Sequence, residues 1–503
     1  MRTSIRRGLL FGLLSFFLAA AVPLAQDAPA TLIINARVID GTGTPARAAS
    51  VRITGNRISD IGQLTRRSTD QVVDGAGLVL APGFIDTHSH HDRGLFEQLD
   101  VKAAVSQGIT TIVVGQDGGS DHPLQEFFDR LGATAASVNV ASYVGHGTLR
   151  RRVLGTDFKR AAQPDEVAKM AGLLRIDMQA GALGLSSGLE YDPGIYSDPS
   201  ELVALAKAVA PFGGRYISHV RSEDRTFWKA IEEAINIGRE AGIPVQISHL
   251  KLAMRSLWGQ TDRLIKMLDD ARASGVQVTA DIYPYTYWQA GMTVLFPSRD
   301  FDNREAAEFA LREVTSPEGL LIARFASNRS FEGKTLAAIA TLRGQDPPKV
   351  MMDMIRESDG DVGIVATGMS EQDVVTLTKW PFTNICSDGM STGGHPRGHG
   401  AFPRVLGRYV REQGALTMEE AVRKMTSLSA ANVGLKERGT IKAGNFADLV
   451  LFNAGEVIDR STTADPRALS EGIHTVWTNG QIVFQKRETT SKRPGVVLRR
   501  ASK

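Results

Sequence analysis

For some 350 residues the middle of this chain alternates short apolar runs with helical stretches. The runs include TTIVVG, VNVASYVG, GALGLSSG, GRYISHV, IPVQISHL, VQVTADIY and FTNICSD. Between them lie segments such as PSELVALAKAVAPFG and FWKAIEEAINIGREAG, which carry helical patterning. Strand and helix repeated in this way predict an α/β fold with parallel strands. At this length the expected form is a (β/α)8 barrel over residues 84–435.

The two ends have a different texture. TLIINARVID, ASVRITGNRISDIG and QVVDGAGLVLAPG are short runs broken by Gly, Asn and Asp, and GTIKAGNFADLVLFNAG and TVWTNGQIVFQKR repeat the style. Asn479-Gly480 is a strong hairpin signal. Residues 26–83 and 436–503 are therefore expected to be small antiparallel strands that pair into one accessory domain. A chain of 503 residues is in any case too long for one simple core.

The formal charge of +3 comes from Arg2, Arg6 and Arg7; beyond residue 25 the chain has 55 basic and 55 acidic residues. That balance offers no basic field for nucleic acid or an anionic membrane. MRTSIRR followed by GLLFGLLSFFLAAAV reads as an export signal over residues 1–25, too short for an ordinary spanning helix. The expected mature protein starts between about Val22 and Ala28. It would be periplasmic or secreted, with no stable membrane association. Cys386, the single cysteine, excludes an intrachain disulfide.

Three of the ten histidines fall within GFIDTHSHHD. His88 and His90 are two residues apart and so project to one side where the first barrel strand ends. His219 closes YISH and His249 closes VQISH, one strand–helix–strand unit later. Catalytic groups of such barrels sit at the C-terminal mouth, so four imidazoles converge there. Imidazole suits zinc. His91 points to the opposite face from His90 and reads as a loop residue or one that braces the ligands from behind, while His122, His399 and His474 have no strand-end placement and read as structural. Asp117 in VVGQDGG and Glu190 in SSGLEYDPG are the candidates for a carboxylate ligand between two metals. They read equally as a turn aspartate and a loop charge. Asp388, at the end of FTNICSD, is placed to take a proton from a metal-activated water and pass it to a leaving amine.

These stretches, with VGHGTLR, ISHLK, DIYPY, HPRGHGAFPRVLGRYVRE and KMTSLSAANVGLKERGTIKAGNFADLVLF, resemble the amidohydrolase superfamily, and within it the N-acyl-D-amino-acid deacylases. The likeness runs over about residues 30–500. It implies a metal-dependent hydrolase barrel, a β-sandwich built from both chain ends, and an insertion over about residues 284–363. It implies one or two zinc ions, with His219 and His249 on the tightly bound one, His88 and His90 on the other, and Asp388 as catalytic acid/base. Family members usually carry a metal-binding cysteine in VVGNCG; here Asp117 replaces it, a harder ligand than thiolate. The resemblance also implies that Lys251, Tyr191 and Tyr283 contact a substrate carboxylate, with Arg397 as a second cation. Arg221 stands to His219 as Lys251 does to His249.

The implied reaction is hydrolysis of a small N-acyl-D-amino acid to a D-amino acid and a carboxylate. The alternatives are another amide, such as a D-amino-acid-containing dipeptide, a cyclic imide or an N-acyl amine, and a catalytically silent scaffold. The intact histidines and Asp388 weigh against the last.

Overall fold

The computed structural model describes Met1 and residues 29–500; the expected export signal lies outside the described residues. The barrel strands are Phe84–Asp86, Ile109–Val114, Asn139–Ser142 continued by Val144–Gly145, Gly184–Gly188, Arg215–His219, Val245–Ile247, Val278–Ile282 and Thr383–Ile385. Neighbours pair in parallel, in chain order. Their ladders form two arcs of three and six strands. The last strand meets the first just beyond the strand ends, where Asp388 N donates to His88 O at 2.8 Å and His90 N to Gly389 O at 2.9 Å.

The other seam lies in the third strand. Its upper part, Val144–Gly145, pairs with the fourth strand. Its lower part bonds instead to the C-terminal segment, with Val140 N donating to Val496 O at 3.0 Å and Leu498 N to Val140 O at 2.8 Å. Gly495 N to Ala136 O and Arg500 N to Gly181 O, both 2.9 Å, complete this strap.

Helices cover the outside. Phe227–Ala241 buries Phe227, Ala230, Ile231, Ala234, Ile235, Gly238 and Ala241, three or four residues apart, so one stripe faces the strands. It ends at Gly242, whose φ of 65° suits a glycine C-cap. Gly238 permits the close approach: a Cβ there would lie 2.2 Å from Val245 Cγ2. This helix joins the strand that ends in His219 to the one that leads to His249, and its packing fixes their spacing.

Both chain ends build one nine-stranded sheet, with Leu449–Phe452 antiparallel to Val79–Pro82. Ile33, Val51, Leu80, Leu449, Leu451 and Trp477 form its separate core. One expectation is corrected. Ala30–Val38 pairs in parallel with Asp70–Asp74 and Val79–Pro82: the hairpin Arg47–Thr54/Arg57–Gly62 takes the chain to the far edge, and the segment after Gly62 crosses back before the next strand starts in the same direction as the first. Between the seventh and eighth barrel strands an antiparallel sheet of Tyr287–Gly291, Val362–Thr367 and Leu320–Phe325 carries further helices. Arg299 ties this insertion to the mouth, bonding Asp192 Oδ1 at 2.9 Å and Glu190 O at 2.8 Å.

Candidate metal centre and active site

Four of the expected residues face one point. His90 Nε2 lies 3.1 Å from Asp117 Oδ2 and 3.3 Å from Asp388 Oδ1. His88 Nε2 lies 3.4 Å from Asp117 Oδ1 and 3.5 Å from Asp388 Oδ1. A tetrahedron with zinc–ligand arms of roughly 2.0–2.1 Å has edges of about 3.3 Å, so these separations are those of ligands around one ion. Both ring nitrogens of His88, and Asp117 Oδ1, are buried with no hydrogen-bond partner. Such orphaned donor atoms are costly unless something else satisfies them. Burial opposes a charge on His88, yet Asp117 and Asp388 outweigh it and push its pKa up to about 10. The carboxylates thus call for positive charge at this point, and a divalent cation answers all three observations.

A second group adjoins the first through Asp117. His219 Nδ1 is 3.0 Å from His249 Nε2, which is 3.8 Å from Asp117 Oδ1. The outer nitrogens of these rings face other carboxylates: His219 Nε2 lies 3.0 Å from Glu190 Oε2, and His249 Nδ1 lies 3.0 Å from Glu223 Oε1. The two carboxylates left open by the sequence therefore separate. Asp117 stands between the histidine pairs, and Glu190 stands behind His219.

Local backbone explains the placement. Asp117, His249 and Asp388 have φ of 52°, 34° and 47°, in the left-handed region that only strong surrounding contacts sustain. The Asp117 loop sits low over the barrel because glycines receive it. A Cβ at Gly188 would lie 2.3 Å from Asp117 O, and one at Gly145 would lie 2.5 Å from Gly118 O. Asp388 Oδ2 pairs with Arg397 Nη1 at 2.7 Å. Burial alone would raise its pKa, but Arg397 and then His88 hold it well below the usual carboxylate range. Asp388 is consequently ionised at neutral pH.

The remaining residues divide. Tyr191 packs against His219 at 4.4 Å between ring centres, with the rings tilted by 42°. Arg397 lies 4.6 Å from the Tyr283 ring centre, and Tyr283 Oη is buried without a partner. Lys251 Nζ reaches His249 Nδ1 at 2.7 Å and Glu223 Oε1 at 2.5 Å. Arg221 does not follow the parallel with Lys251: it turns from the mouth to bond Glu233 at 2.7 and 2.8 Å, because the helix after its strand offers that carboxylate. His91 and His399 are buried and His122 is half-buried, all three turned away from the cluster; His122 Nδ1 bonds Asp177 at 2.6 Å.

Two residues escaped the sequence reading as site groups. Glu223 lies in the loop after His219, four residues beyond the strand end, where no strand-end position marks it. Asp281, at the mouth end of the seventh strand, accepts His249 N–H at 2.6 Å and stands 3.7 Å from His88 Nδ1. Its strand-end position in VTADIY was the available signal.

Two chambers meet at this centre, sharing Tyr191, Asp388 and Arg397. The inner recess is lined by Lys251 and Tyr283 and by apolar Ala253, Trp288, Val294, Leu295 and Val314. The outer chamber, of about 640 Å³, opens beyond His90 and Asp117.

Comparison with known proteins agrees with this architecture. The sequence model of the amidohydrolase family matches residues 71–312 and 302–484. A D-aminoacylase of Alcaligenes xylosoxydans xylosoxydans is 36% identical, over 94% of this chain and 98% of that protein. An N-acyl-D-glutamate deacylase of the same organism is also 36% identical, over 92% and 95%. The solved N-acyl-D-glutamate deacylase of Bordetella bronchiseptica, complexed with zinc and a phosphonate mimic of the tetrahedral intermediate, superimposes with a TM-score of 0.86. It is 34% identical, covering 94% of this chain and 100% of that one. The chain belongs to the amidohydrolase family, in its D-aminoacylase group.

Proposed function

We propose that this enzyme hydrolyses N-acyl-D-amino acids with apolar side chains, using zinc held at the barrel mouth. His88, His90 and Asp117 would hold one ion, with Asp388 beside it. His219, His249 and Asp117 would hold another, with Glu190 and Glu223 orienting the two rings from behind. Zinc there supplies Lewis acidity towards the amide carbonyl and lowers the pKa of water.

The protein's own groups do the rest. Asp388, ionised and oriented by Arg397, accepts a proton from the attacking water as oxygen bonds to the carbonyl carbon. It returns that proton to nitrogen as the C–N bond breaks, leaving a carboxylate and a free amine. The amino-acid half is assigned to the narrow inner recess, which holds the cations and the apolar wall. Its α-carboxylate meets Tyr283 Oη, the remaining N–H groups of Arg397, and Lys251, with Tyr191 packing alongside. The wall of Trp288, Val294, Leu295 and Val314 takes an apolar side chain; no cation there beyond Lys251 and Arg397 awaits an acidic one. With carboxylate, carbonyl and side chain each assigned a place, only one hand of the α-carbon fits.

The position of Asp388 carries this reading: one oxygen faces the histidines, the other is held by Arg397, at the junction of the two chambers. The test is amine release from N-acetyl-D-leucine and its L form by zinc-loaded protein. The expected result is strong D preference, with Asp388→Asn losing ~10²–10⁴ in kcat. Equal kcat/KM for both hands, or release from neither, would overturn it. Export is part of the proposal and rests on the Arg-flanked apolar run. Native protein should begin between about Val22 and Ala28, and cytoplasmic protein starting at Met1 would refute it.

A further inference from the structure

The outer chamber is far larger than a simple acyl group needs. Its 640 Å³ lies within the roughly 300–1,000 Å³ range of pockets that enclose a whole drug-sized ligand. An acetyl group would leave it nearly empty. Its wall mixes polar and apolar surface and is rich in glycine, including Gly118, Gly147 and Gly393, so much of it is backbone.

Its lining carries four arginines and four carboxylates, most of which are already engaged. Asp117 and Asp388 belong to the metal cluster, and Asp192 is bonded to Arg299. Arg324 is held by Asp361, with Glu332 nearby, whose carboxylate accepts Phe325 N–H at 2.9 Å. Two guanidinium groups on the barrel side are left over. Arg93, on the loop three residues past His90, makes no ion pair with any described residue. Arg151, on the helix His146–Leu154 after the third strand, meets among the described residues the Asp192 carbonyl at 2.9 Å and the Phe158 ring, and no carboxylate. Both are exposed, and both line the chamber.

We propose that the outer chamber is an acyl-group subsite selecting acyl chains that end in a carboxylate, the monoamides of dicarboxylic acids, through Arg93 and Arg151. This rests on the deacylase reading and on its orientation, with the amino acid inward and the acyl group outward. A guanidinium fork suits a terminal carboxylate, and the same two charges repel the free ammonium of a dipeptide.

The test compares N-succinyl- and N-glutaryl-D-leucine with their terminal carboxamides, which match them in size and lack only the charge. N-acetyl-D-leucine is the reference substrate. For the zinc-loaded protein, kcat/KM should favour the carboxylate of at least one length by about tenfold, the lower end for a hydrogen bond to a charged group. The ratio should shrink with added salt. In the Arg93→Gln/Arg151→Gln double variant it should fall to about one. Both positions are exposed, and a thermal melt matching the parent shows that the variant folds. A ratio near one at both lengths in the parent, with N-acetyl-D-leucine turned over, overturns this inference and leaves the deacylase reading standing. A ratio that survives in the double variant also overturns it. Failure to cleave any D-substrate overturns the reading beneath it.

Discussion

Asp117 is the residue on which most of the centre depends, because one carboxylate faces both histidine pairs. Asp117→Ala should lower zinc content at both positions. Glu190→Ala should keep the stoichiometry and weaken affinity about 10–100-fold, as loss of a group bracing a ligand does. Metal analysis after dialysis against graded chelator distinguishes them, and equal effects would refute the division of roles. Away from the centre, His399 is buried, and burial, then Arg467, pulls its pKa down to about 4. The unfolded chain takes up this proton near pH 6.5 and the folded one does not, so stability is lost as pH falls from about 6.5 to 4. His399→Asn should remove that loss, gaining on the parent by about 3 kcal/mol between pH 7 and pH 4. Urea unfolding of both proteins at the two pH values measures it; parallel curves would contradict it.

The barrel elements deliver these residues, and much of that delivery was legible in the sequence. His88, His90, His219 and His249 could be placed because each closes an apolar run, and strand ends define a barrel's mouth. Asp117 could be singled out because it follows the second apolar run, at the mouth end of a strand. Glu223 could not, since nothing local shows that the loop after His219 folds back onto His249. Arg221 misled for a related reason: its partner Glu233 lies on the next helix, outside any two-residue spacing rule. The parallel pairing of Ala30–Val38 was hidden too, because strand texture does not disclose direction. Loop seating also belongs to the elements. Gly188→Ala, at the end of the fourth strand, would press on Asp117 O and shift that loop. The expected outcome is a folded protein with an unchanged far-ultraviolet spectrum and at least tenfold weaker zinc binding. Zinc affinity equal to the parent's would show that the loop yields without moving its carboxylate.

At the scale of the whole molecule, the ends of the chain are structural parts. Residues 494–500 fill the lower seam between the third and fourth barrel strands. Deleting residues 494–503 removes the four backbone hydrogen bonds of the strap. At about 1 kcal/mol each, the loss should be about 4 kcal/mol, seen as a lower urea midpoint. An unchanged midpoint would mean that the seam closes without the strap. The accessory sheet couples the ends more tightly still, since Leu80 pairs with Leu451. Contacts so distant in sequence are slow to form, because most of the intervening chain must be ordered first. Ala30–Val38, Arg47–Thr54 and Arg57–Gly62 can pair among themselves as they leave the ribosome, but Val79–Pro82 waits for Leu449–Phe452, so one edge of the young sheet stays uncovered until nearly the whole barrel has been synthesised.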